Sequence, residues 1–113
     1  IADVEKGSEI DGFLNTFVNE YNSLGHKGWF IENGFRKELE SADFEVTFDK
    51  NLKYSWKFEG LDQMIDFCTL MFGLDRASPK QGLEGITKYQ GYSINNGSCN
   101  MNWKLRFMSC LKK

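Results

Sequence analysis

The stretch Asn100-Met101-Asn102-Trp103-Lys104-Leu105-Arg106-Phe107-Met108-Ser109-Cys110-Leu111 constrains the fold more than any other part of the chain. Met101, Trp103, Leu105 and Phe107 fall on one side of an alternating pattern, and Asn100, Asn102, Lys104 and Arg106 on the other. Side chains of a strand point alternately to its two faces, so the pattern predicts a β-strand with one face in a core. Lys104 and Arg106 are expected to lie over apolar neighbours with their charges in water. Every earlier segment carries an apolar stripe, and each stripe needs a surface of this kind to cover.

Those segments follow in order. Ile1–Val4 reads as the end of a strand. Ser8 is an N-cap with Asp11 as an acidic partner at the helix start. Ile10, Phe13, Leu14, Phe17, Val18 and Tyr21 recur at helical spacing and predict an amphipathic helix from about Glu9 to Ser23, stopped by Gly25. Trp29, Phe30 and Ile31 are expected to open a second helix through Phe35, Leu39 and Ala42, weakened by Gly34. Phe44–Phe48 and Lys53–Phe58 alternate as two strands about a turn at Asp49-Lys50-Asn51. Leu61, Met64, Ile65, Cys68, Met71 and Phe72 mark a third helix ended by Gly73. Ser78-Pro79-Lys80-Gln81 opens a fourth, with an N-cap, a first-turn proline and a capping-box glutamine; it runs to about Tyr89 and contains Gly82 and Gly85. Tyr92-Ser93-Ile94 is a short strand, and Asn95-Asn96-Gly97 a turn into the closing strand. The order predicts α+β, or half of an α/β Rossmann-like fold: a small, mainly antiparallel sheet covered by about four helices in a single domain, residues 1–113.

Composition narrows the function classes. A chain of 113 residues with 41% hydrophobic and 15% aromatic side chains can bury an ordinary core without metal or disulfide staples. A net charge of −2 and a pI of about 5.4, with no basic cluster, argue against nucleic acid as a partner. No run is long enough to cross a membrane, and no signal peptide is visible. Cys68, Cys99 and Cys110 show no zinc spacing and read as reduced cytosolic thiols, so a cytoplasmic location is expected. The chain opens at Ile1 without a methionine, as a numbering that starts inside a longer protein would.

Several local phrases share a resemblance. Ile1-Ala2-Asp3-Val4 with Gly7-Ser8 and the Phe-rich helix resembles the fifth strand and following helix of class I S-adenosylmethionine-dependent methyltransferases. Gly25-His26-Lys27-Gly28-Trp29-Phe30 resembles the joint before the next helix. Leu39-Glu40-Ser41-Ala42-Asp43-Phe44-Glu45-Val46 resembles their passage into the next strand, with Asp43 where Gly is usual. Trp56-Lys57-Phe58, Met64, Phe67-Cys68 and Leu70-Met71-Phe72-Gly73-Leu74 resemble a substrate-side helical insertion. Trp103-Lys104-Leu105-Arg106-Phe107 and Lys112-Lys113 resemble the closing antiparallel strand. The resemblance implies the C-terminal, substrate-side half of such a fold. The Gly-rich strand–turn–helix that lets a backbone approach the cofactor is not in these residues. No cofactor is therefore expected for this chain by itself, and S-adenosylmethionine only where the other half is supplied. Whether the chain is an enzyme stays open, and no catalytic residue is assigned.

Each candidate site also has a plainer role. His26, between two glycines, is placed to act as a base near neutral pH or to make one loop hydrogen bond. Asp3 and Glu5 sit where a strand gives way to a loop. Asp62 and Asp66 share a helix face, and no metal is assigned to them. Trp29, Tyr54, Trp56 and Phe58 are the pocket candidates, lining a cavity for a small apolar or aromatic molecule or packing the core. With His26 they form the expected substrate-binding set. Met64, Cys68, Met71 and Phe72 form a core stripe or an adaptable interface. A half fold leaves an open sheet edge and an uncovered apolar patch, so a homodimer is expected. The two expectations for function are a methyltransferase-like partial domain without catalysis on its own, and a free-standing oligomeric small-ligand-binding protein unrelated to methyl transfer.

Overall fold

The computed structural model describes residues 1–113. Strand β1 is Ala2–Asp3, helix α1 covers 9–21, and helix α2 is Phe35–Ser41. Then come strand β2, Phe44–Phe58, helix α3, Leu61–Phe72, helix α4, Pro79–Lys88, strand β3, Tyr92–Asn95, and strand β4, Ser98–Lys112. The architecture is α+β, an antiparallel sheet with four helices. The alternating stretch is the body of β4, and β1, β2 and β3 each pair with it antiparallel and with no other strand. Along one edge β2 pairs from Phe44↔Lys112 to Phe58↔Cys99. The other edge is shared. β1 takes Arg106 and Phe107, and β3 takes Ser98 to Met101, leaving 102–105 between them without a strand partner.

Local chemistry sets most element ends. Ser8 Oγ accepts from the Asp11 N–H at 3.3 Å, while Asp11 accepts from the Gly7 N–H at 2.7 Å. The middle of α1, Phe13–Val18, winds as a π-helix and buries Phe13, Leu14, Phe17 and Val18. Gly73 ends α3 at φ +61°, a left-handed conformation that suits glycine. Ser78 and Gln81 form the expected capping box of α4. Asn96 (φ +49°) and Gly97 (φ +80°) form the tight β3–β4 turn.

Three expectations are corrected. Residues 25–34 do not open a helix, and only Phe35–Ser41 is helical there. Ile31 N–H donates to the Val4 carbonyl and Lys6 N–H to the Ile31 carbonyl, both at 2.9 Å, and this pairing holds the chain extended. Second, Asp49-Lys50-Asn51 is not a turn. Phe44–Phe58 is one strand with a bulge at Thr47, because β4 pairs with it throughout and Arg106 holds Asp49. Third, Arg106 is not in water. Its side chain is only 12% exposed and is enclosed by carboxylates.

The core lies between one sheet face and the helices α1, α3 and α4. Trp103 stacks on Phe72 of α3, and Phe72 meets Phe13 of α1 edge to face at 5.4 Å. Cys68 packs on Met101 and Cys99 on Met64. Helix α4 approaches α1 closely at Gly85, where a Cβ would stand 2.5 Å from the Phe17 ring. The opposite face of β4 is also used. Met108, on the other side from Trp103, is 2% exposed.

Candidate functional site

The structure disperses the five expected site residues. Trp56 and Phe58 lie in the core, their rings 5.3 Å from Phe67, and the Trp56 indole N–H has no partner. His26 is held in the 22–34 loop, with Nδ1 3.2 Å from Asn15 Oδ1 and its backbone N–H donating to Asn19 Oδ1 at 2.9 Å. Trp29 stands 95% exposed beside a shallow 300 Å³ depression that it shares with Lys6, Asp11, Asn15, Lys27 and Glu32. Tyr54 alone borders the larger cleft.

That cleft, about 410 Å³, is built where β1 and β3 leave the edge of β4 free. The start of α1 brings Glu9 and Ile10, and the end of α4 brings Tyr89 and Gln90. Strand β4 contributes Asn102, Trp103 and Lys104, and β2 contributes Lys53 and Tyr54. Its volume lies in the range of small-molecule sites. Tyr54, Tyr89 and Trp103 give it aromatic rings on three elements. Tyr89 is set by Gly12, since a Cβ there would reach its ring at 2.7 Å.

Polar groups sit among these rings. Lys53 and Lys104 are directly opposed across β2 and β4. Like charges so placed repel, and Glu9 relieves one of them through an ion pair of 3.5 Å to Lys104. Its own backbone N–H first, and Lys104 second, hold the Glu9 carboxyl below its ordinary range. Burial pushes the Tyr54 phenol up, so it stays protonated and able to donate. Asn102 donates to the Gln90 carbonyl at 3.0 Å. The Gln90 side chain is buried, its Nε2 3.5 Å from Met101 Sδ, and its side-chain oxygen has no partner.

No group of three or more His, Cys, Asp or Glu side chains is placed to hold a metal. The residues present do not form a glycine-rich cofactor cradle either. The turn between β1 and α1 contains the single glycine Gly7, and Glu5 beside it is tied to Arg106. Gly82 and Gly85 face Ile65 and Phe17 rather than open space. Of the cleft, the alternation of Tyr54 was the sequence signal; Tyr89, Gln90 and Asn102 come together only because β1 and β3 divide one edge. No protein-family model, curated protein or solved structure matches the chain. No helix is long and apolar enough to cross a membrane.

Proposed function

We propose that this chain is a small-molecule-binding α+β module whose site is the cleft between α1, α4 and the β2–β4 pair. One observation carries the reading. Tyr54, Tyr89 and Trp103, from three separate elements, converge with Gln90, Asn102 and Glu9 on one cavity of ligand size. Ring faces bind flat apolar surface, and a few polar groups fix its orientation. The ligand class is therefore a small aromatic molecule with one polar end. A cytoplasmic location accords with three unbonded cysteines.

A second reading has its own support. The stretch that resembles the fifth strand of a class I methyltransferase is β1, and the one that resembles the closing antiparallel strand is β4. They pair directly and antiparallel. In that reading the chain is a partial domain that performs no methyl transfer by itself.

Calorimetric titration with a panel of small aromatic compounds tests the first reading. Binding that Tyr54→Ala weakens by about fivefold is expected, since one aromatic contact is worth about 1 kcal/mol. Absence of binding, or binding indifferent to Tyr54→Ala, refutes it. Heat from S-adenosylmethionine that appears only once a complementing cofactor-binding half is supplied would favour the second reading.

A further inference from the structure

Strand β2 pairs with β4 on one side and with no strand on the other, along its whole length. It contains no proline, and residues 50–55 are all exposed. A long free edge of this kind is a template for another strand. The cross-strand register sets which side chains share a face. Asp49, Asn51 and Lys53 lie on one, and Phe48, Lys50, Leu52 and Tyr54 on the other. Phe48, Leu52 and Tyr54 are exposed at 37%, 41% and 41%.

Two groups near the middle of this strand, four residues apart, carry opposite charge. Asp49 belongs to a cluster with Arg106, Arg36, Glu5 and Glu40, joined by ion pairs of 2.7 to 3.4 Å. That is three carboxylates against two guanidiniums, one negative charge in excess. Four residues on, Lys53 lies opposite Lys104, and the carboxylate ion-paired to Lys104 is Glu9. That group has one positive charge in excess. Antiparallel pairing of the strand with itself would set each excess beside its opposite, twice.

We propose that β2 is the dimer interface, pairing antiparallel with β2 of a second copy of this chain about a two-fold axis at Asn51. A closed two-fold contact uses the same patch on both copies. This register sets Asp49 opposite Lys53, Phe48 opposite Tyr54, and Lys50 opposite Leu52. Neighbouring two-fold registers are worse. Centres at Lys50 or Lys53 oppose two lysines, a centre at Asp49 opposes two carboxylates, and a centre at Leu52 sets Asp49 against Ser55. The lysines of the edge therefore select the partner and the register. Phe48 of the second copy also falls beside Tyr54, at the rim of the cleft.

The test combines light scattering with a cross-link on the axis. Residues directly opposed across an antiparallel pair have Cα atoms about 4.5–5.5 Å apart, within disulfide reach. Asn51→Cys in a Cys110→Ser background should give a covalent dimer on mild oxidation, whereas Leu70→Cys, exposed on α3, should not. Lys53→Asp should weaken the dimer by about tenfold, since it reverses both charge contacts between Asp49 and Lys53. A monomer at roughly 100 μM, a weak affinity on the usual scale, overturns the proposal. So does a dimer that Asn51→Cys cross-links no better than Leu70→Cys, or one that Lys53→Asp leaves unchanged.

Discussion

Gly82 and Gly85 lie one turn apart on the buried side of α4, and alanine at the two positions should move stability in opposite directions. In a helix interior alanine is favoured over glycine by about 1 kcal/mol. At Gly82 the added Cβ meets only Ile65 Cγ2, at 3.8 Å, an ordinary contact. Gly82→Ala should therefore stabilise by about 0.5–1 kcal/mol. At Gly85 the same Cβ lies 2.5 Å from two carbons of the Phe17 ring. That ring has little room to yield. Phe17 is 8% exposed, stacked on Phe13 at 5.5 Å and against Tyr21 at 4.8 Å. Overpacking a core costs about 1–3 kcal/mol, and a 2.5 Å approach to a ring held on both sides lies at the upper end, about 2–3 kcal/mol, which outweighs the propensity gain. A net loss of about 1–2 kcal/mol is expected for Gly85→Ala, or a Tm lowered by roughly 4–8 °C in a chain of this length. Urea unfolding followed by tryptophan fluorescence measures both, and an unchanged m-value would show that stability alone had moved. A Gly85→Ala protein as stable as the parent would refute the close α1–α4 contact.

Two further outcomes follow from the buried polar groups. Arg106 donates to both Asp49 oxygens at 2.8 and 2.7 Å, and Arg106→Ala should cost about 3 kcal/mol by leaving Asp49 nearly buried with only Arg36 at 3.4 Å. The hydrogen bonds from Arg106 hold the Asp49 carboxyl below its usual range. Its contribution is thus complete above the unfolded carboxylate pKa of about 4 and is lost as pH falls through the lower folded value. Acid unfolding curves should show this loss in the parent and a shallower one in Arg106→Ala. Burial pushes the Cys68 thiol up to about 12 and raises Cys99 as well, whereas Cys110 is half-buried. A thiol reagent near neutral pH should therefore label Cys110 alone in the folded protein and all three cysteines in denaturant; fast labelling of Cys68 would contradict its burial.

The alternation of Met101, Trp103, Leu105 and Phe107 was enough to identify the central strand, because a period of two puts every second side chain on one face. The capping box at Ser78 and Gln81 and the stop at Gly73 were legible for the same local reason. Long-range pairing was not. Asp49-Lys50-Asn51 has turn composition, yet β4 carries it as strand, with Arg106 supplying the charge that Asp49 needs. Trp29-Phe30-Ile31 is apolar enough for a helix, yet two hydrogen bonds to the chain around Val4 and Lys6 hold Ile31 extended. The cleft was least legible. Tyr54 signalled itself by alternation, but Gln90 and Asn102 matter only through the gap that β1 and β3 leave on β4.

Amide NMR of the titrated protein tests the central claim most directly, since it locates a ligand as well as detecting it. With a small aromatic compound the account predicts shifts centred on Ile10, Tyr54, Gln90 and Asn102, saturating together with one affinity. Shifts centred on Lys27 and Trp29, or none at all, would contradict it.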